Sequence, residues 1–186
     1  MPYAGVGRFR LYYEIEGDGQ TVVLLHAVGL DLTCWEAQVE ALAPRFRVLR
    51  VDLRGHGRSD VPPPPYTLEG FAEDVHGLLG ALQLAPAHVI GLSLGGMVAQ
   101  LLALDYPKAV RSLVLADTNS ALPPEARPAM VERGEAAKRG GMSAVVDITL
   151  ARWFTPGFMG ADVVAHCRER LLADDVEAWA ARWRAL

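Results

Sequence analysis

The chain has 186 residues, 51% of them hydrophobic, enough for one domain that buries a substantial core. Its formal net charge of −4 and pI near 5.7 offer no general attraction to phosphate backbones or anionic surfaces, so neither nucleic acid nor membrane is an expected partner. No basic segment followed by an apolar block opens the chain, and no stretch approaches the roughly 18 apolar residues of a membrane span, so a cytoplasmic location is expected.

Near the start, "FRLYYEIEG" reads as an amphipathic hairpin strand with its turn at Gly17, Asp18 and Gly19. Three apolar runs follow: "TVVLLH" (Thr21 to His26), "RVLRVD" (Arg47 to Asp52) and "AHVIGLS" (Ala87 to Ser93). A fourth is "SLVLAD" (Ser112 to Asp117). None alternates with polar residues, which is the pattern of strands covered on both faces by helices. Helical periodicity fills the gaps at Thr33 to Leu42, Leu68 to Leu84 and Gly95 to Tyr106, with Thr67 as the N-cap of the second. The order predicts an α/β fold with a doubly wound, mainly parallel sheet. "PPPP" at 62 to 65 is a stiff connector. Beyond Asp117 only helical patterns occur, at Pro124 to Gly140, Met142 to Trp153, Ala161 to Ala173 and Asp175 to Ala185. The expected division is a core over 1–120 and a helical cap over 121–186.

Cys34 and Cys167 stand far apart without His or Cys at metal-ligand spacing, so free thiols, no metal and no cofactor are expected.

One junction carries chemistry. In "HVIGLSLGGM" a buried strand runs into a helix through Gly91, Ser93 and Gly95, the context of a Gly-x-Ser-x-Gly nucleophile elbow. Glycines there remove the Cβ atoms that would collide where strand and helix converge, and Ser93 is raised beside the positive end of the helix dipole. Ser93 is the candidate nucleophile, and the amide of Leu94 a candidate oxyanion donor. A second donor belongs on the loop after the neighbouring strand, in "LLHAVG": the Val28 amide, with Ala27 as the alternative. His26, at a strand end, is expected to hold that loop. In "DLRGHGRSD" the residues Asp52, Arg54 and His56 are expected to bond one another.

Taken in order, "HAVG", "DLRGHGRSD", "GLSLGGMVAQ" and "LVLADT" resemble the α/β-hydrolase superfamily, and within it the 3-oxoadipate enol-lactonases, which open an enol-lactone ring in aromatic degradation. The cap stretch "RGGMSAVVDITLARWFTPGF" (Arg139 to Phe158) is similar to that group's cap. The resemblance spans nearly the whole chain and implies a cofactor-free serine hydrolase of a small ester or lactone carrying carboxylates. It places Arg133 and the pair Arg152 and Trp153 over Ser93, an arginine to grip a carboxylate and a tryptophan to wall an apolar side. The sequence departs from the group at His26 and Ala27, and at Met130, where an aromatic is expected.

In that superfamily the triad runs Ser, then Asp or Glu, then His, on loops after later strands, and this sequence stops before them. The resemblance therefore implies a chain lacking the C-terminal strands and the catalytic histidine: a fragment, one piece of a split enzyme, or a self-associating truncated product. A second polypeptide or another copy would complete the sheet along Ser112 to Ala116. Five residues of strand separate His88 from Ser93, which puts it at the far end of the sheet. His76 lies in a helix and His56 in a loop. His166 alone follows Ser93, so Ser93, Asp117 and His166 satisfy the order, on a cap helix that is a mobile mount for a base. The contending functions are a serine hydrolase of an ester or enol lactone, a silent binding module, and another activity of the same elbow such as carboxylesterase or cofactor-free haloperoxidase.

Overall fold

A computed structural model describes residues 2–186. Strand β1 (Tyr3–Val6) and strand β2 (Phe9–Glu16) form the antiparallel hairpin, turning at Gly7. The turn at Gly17 to Gly19 does not close a hairpin, as the sequence pattern suggested. It carries the chain to β3 (Thr21–Leu25), while β4 (Arg47–Val51) lies between β2 and β3, antiparallel to the first and parallel to the second. Burial explains the exchange. All five residues of β3 are buried, so it belongs at the centre of the sheet, whereas half of β2 meets solvent and suits the periphery.

With β5 (Ala87–Leu92) and β6 (Val110–Ala116) the sheet has the order β1-β2-β4-β3-β5-β6, and β4, β3, β5 and β6 run parallel. Val22, Leu24 and Val48 turn to one face, against Trp35 and Val39 of the short helical turn Leu32–Trp35 and of α1 (Glu36–Leu42). Val23, Leu25, Leu49 and Val89 turn to the other, against α2 (Leu68–Ala81) and α3 (Leu94–Asp105). Thr67 caps α2 through its hydroxyl, which accepts from Gly70 N at 3.0 Å. The apolar period runs on to Leu84, but the helix stops at Ala81, because Gln83 adopts a left-handed backbone with φ of 56°.

After β6 the chain is helical: α4 (Arg127–Gly140), α5 (Ser143–Trp153), α6 (Asp162–Leu172) and α7 (Val176–Ala185). These four form a roof over the loops at the C-terminal ends of the strands. Leu171 and Trp179 press on Gly29 so closely that a Cβ there would lie within 2.8 Å of both. Arg182, fully buried, donates to Gly55 O at 2.7 Å and to Asp174 at 2.5 Å, tying α7 to the loop after β4.

One expectation fails at the edge. The sequence of β6 reads as a strand covered on both faces, yet Val114 is 53% and Leu115 45% exposed. Among the described residues β6 pairs only with β5, so its outer side is open.

Candidate active site

The turn at Ser93 is built by exclusion. A Cβ on Gly91 would lie 2.3 Å from Gly95 O, and one on Gly95 would lie 2.2 Å from Leu25 O, so strand β5, helix α3 and strand β3 approach more closely than any side chain allows. The backbone resolves the squeeze by bending at Ser93, with φ of 51° and ψ of −112°. Three contacts hold the bend. Ser93 N donates to Ala116 O at 2.9 Å, Gly96 N donates to Ser93 O at 2.9 Å, and Thr118 Oγ1 donates to Ser93 O at 2.7 Å. The Ser93 side chain makes no capping hydrogen bond to the helix it precedes. Leu94 opens α3, so its amide is among the first four that lack an intrahelical acceptor.

Ser93 lines a cavity of about 920 Å³ between sheet and roof, and so do Val28, Ala27, Arg133, Arg152 and Trp153. Leu94 is fully buried beneath it. Among the described residues the Val28 amide finds no backbone acceptor, while Leu30 N closes the same loop on Ala27 O at 3.2 Å.

His26 locks that loop. Its Nδ1 donates to Ala27 O at 2.8 Å and its Nε2 accepts from Leu53 N at 3.0 Å, which joins the ends of β3 and β4. Burial disfavours the charged ring and lowers its pKa to about 4, so the imidazole is a neutral strut, as its place at a strand end suggested. The trio in the next loop is built differently from the expectation. Asp52 accepts from the amides of Leu32 (2.7 Å) and Arg58 (2.8 Å), and Arg54 turns away to Asp74 and Gly70 O. Only His56 keeps part of the expected bond, donating from Nδ1 to Arg54 O at 3.0 Å. A buried carboxylate takes the nearest fixed N–H groups, and Asp52 sits among backbone amides rather than beside the guanidinium.

The remaining histidines stand apart from Ser93. His88 bonds Ser112 and Gln20, and His76 stacks on Tyr106. His166 lines the cavity and pairs with Thr33 Oγ1 at 2.8 Å, not with Ser93 or Asp117. Among the described residues no histidine hydrogen-bonds Ser93. Asp117, exposed and with φ of 43°, also borders the cavity.

Two arginines of the cavity wall, Arg133 and Arg152, form no salt bridge among the described residues. Burial and the neighbouring Arg152 both lower the Arg133 pKa, and no acid opposes them. By contrast Arg170, on the same wall, is held between Asp31 and Asp174. Sequence reasoning missed Trp183, which also lines the cavity, although Trp179 and Trp183 stand four apart in "VEAWAARWRA" and so share a helix face.

A family model for the alpha/beta hydrolase fold matches residues 20–140. The chain belongs to the α/β-hydrolase fold family. A 3-oxoadipate enol-lactonase of Acinetobacter baylyi is 29% identical over 173 residues, covering 92% of this chain. The chain spans 64% of that lactonase's length. Among solved structures, an enol-lactonase from Burkholderia xenovorans is 38% identical with a TM-score of 0.93, covering 99% of this α/β-hydrolase chain and 72% of its own. A hydrolase from Pseudomonas aeruginosa is 39% identical with the same TM-score, over 98% of this chain and 71% of its own.

Three variants test the local physics. Gly95→Ala should cost at least the roughly 3 kcal/mol at the upper end for overpacked cores, measured by denaturant unfolding. Gly80→Ala, where a Cβ meets nothing within 4 Å in α2, should instead stabilise by about 0.5–1 kcal/mol. His26→Ala should lose roughly 1–3 kcal/mol at neutral pH by orphaning Leu53 N. The unfolded chain protonates His26 near 6.5 and the folded chain near 4. The wild type therefore loses this group's contribution as pH falls from 6.5 toward 4, and the gap to His26→Ala should narrow over that window in thermal melts.

Proposed function

We propose that the chain carries the nucleophile and oxyanion hole of a serine hydrolase acting on a small carboxylate-bearing ester or enol lactone. The observation that supports it best is the strained Ser93, free of any capping bond, at the wall of a cavity that also holds two arginines without acid partners. In this reading Ser93 Oγ attacks the acyl carbon, and the Val28 and Leu94 amides take the charge that develops on the carbonyl oxygen. The acyl C–O bond breaks and its oxygen takes up the proton lost by Ser93, so that an ester releases its alcohol while an enol lactone opens with its enol still tethered to the acyl-enzyme on Ser93, and water then releases the acid. Arg133 grips the substrate carboxylate and Trp153 walls its apolar part. The names of the Acinetobacter and Burkholderia relatives favour an enol lactone as substrate.

A base must take the Ser93 proton, since serine alone is a weak nucleophile at neutral pH. We place its source on a further stretch of polypeptide seated along the open outer side of β6. The rival reading, a binding module without turnover, is favoured by the lack of any histidine bonded to Ser93. Labelling with a serine-reactive fluorophosphonate separates the two: Ser93 should be modified and Ser93→Ala should not, and an unlabelled wild type, alone and with any completing partner, rejects the hydrolase.

With the completing polypeptide present, turnover of 3-oxoadipate enol lactone should exceed that of neutral p-nitrophenyl esters and vanish in Ser93→Ala with the fold intact by circular dichroism. Arg133→Ala should raise KM for the carboxylate-bearing substrate by roughly tenfold to a hundredfold, the range of a charge-assisted hydrogen bond, and leave neutral esters nearly unchanged. An equal effect on both removes Arg133 from substrate recognition.

A further inference from the structure

We propose that α7 presents Arg133 to the cavity through a clamp of two tryptophans, with Trp183 as the positioning residue for the guanidinium. The inference rests on the reading of Arg133 given above, and it concerns how the arginine is held rather than what it binds.

Trp179 and Trp183 lie one helical turn apart, 0% and 7% exposed, with their rings edge to face at 5.6 Å. Each fixes a different part of Arg133. Trp179 Nε1 donates to the Arg133 main-chain carbonyl at 3.1 Å, and the Trp183 ring lies 4.7 Å beneath the guanidinium carbon. The approach of the helices makes both contacts possible, because Gly134 sits so near Ala180 that a Cβ there would lie 2.8 Å from its Cα. Arg133 is thus set by backbone and side chain from one face of one helix.

The choice of an aromatic support has a chemical consequence. Most ordered arginines of the roof are held by carboxylates: Arg139 by Glu132, Arg168 by Asp147, Arg182 by Asp174 and Arg184 by Glu135. Such a partner cancels the charge and occupies the N–H donors. An aromatic face orders the guanidinium plane while leaving its charge and its terminal N–H groups unspent. Arg133 Nε is buried without a partner, so the donors left for a ligand are the two terminal nitrogens, the pair that grips a carboxylate in bidentate fashion. Arg152, on the same wall, adds a second positive charge without supplying an acid. Removing Trp183 should therefore let the arginine swing and lose anion affinity, and because Trp183 itself lines the cavity, a neutral ligand of the same shape controls for direct contact with the ring.

The test is a binding measurement that needs no turnover. With Ser93→Ala as the common background, monomethyl succinate and the neutral dimethyl succinate are titrated by calorimetry into the chain bearing Arg133, Arg133→Ala, Trp183→Phe or Trp183→Leu. Trp183→Leu should weaken the half-ester roughly 3- to 30-fold, the span of exposed to desolvated cation–aromatic contacts, and leave the diester within twofold. Trp183→Phe, which keeps a weaker ring face, should lie between Leu and the parent. If Arg133→Ala weakens the half-ester while the folded tryptophan variants bind it like the parent, the clamp is overturned and the arginine's role stands. If Arg133→Ala binds both ligands unchanged, the reading of Arg133 itself falls. Should Trp183→Leu not fold, Trp183→Phe decides: parental affinity for the half-ester, or equal loss for both ligands, overturns the clamp.

Discussion

Two absent side chains govern this molecule. Where β5 meets α3, the backbone of Gly91 touches Gly95 and that of Gly95 touches Leu25, at separations no Cβ can enter. The chain can make that contact only by placing the residue between them in a sparsely populated conformation, and the residue so placed is Ser93. Everything else near the cavity is arranged around this bend: Ala116 O at the end of β6 and Thr118 Oγ1 just beyond it brace the bend, and α3 aims its unsatisfied first amides toward it.

Two buried polar groups, His26 and Asp52, stiffen the surrounding loops through hydrogen bonds to the backbone. His26 remains neutral because burial disfavours the charged ring, with both ring nitrogens bonded to backbone groups, and Asp52 is held by two amides although burial raises its pKa to about 6. The roof is pinned by charge instead. Arg182 and Asp174 form a buried pair that reaches Gly55, while Arg170 bridges Asp174 toward Asp31 near the loop of Val28. Arg133 and Arg152 differ from these in forming no salt bridge among the described residues at the cavity wall. Arg133, half-buried, bears the desolvation cost of a cation without a partner, and that cost is recovered when an anion enters, whereas Arg152 beside it is exposed.

The sheet is asymmetric in its exposure. Its β1 side closes with a short hairpin, whereas β6 leaves a full strand of donors and acceptors and the side chains of Val114 and Leu115 facing outward. That open strand runs directly into Asp117 at the cavity rim.

Local pattern determined most of what the sequence could reveal. Short runs rich in Val, Leu and Ile marked the four parallel strands, the 3.6-residue period marked the helices, and glycine spacing around Ser93 marked the strained turn, because each depends on neighbours within a few positions. The elements after Asp117 were legible as helices for the same reason. Tertiary structure alone decided the rest. Strand order, which inserted β4 between β2 and β3, follows from which strand must be buried on both faces, and that is settled only when all faces compete for cover. Asp52 chose backbone amides over Arg54 because partners in space, not in sequence, satisfy a buried charge. The pairing of Arg133 with Trp183 joins residues fifty positions apart, and only the close crossing of α4 and α7 at Gly134 and Ala180 brings cation and ring together.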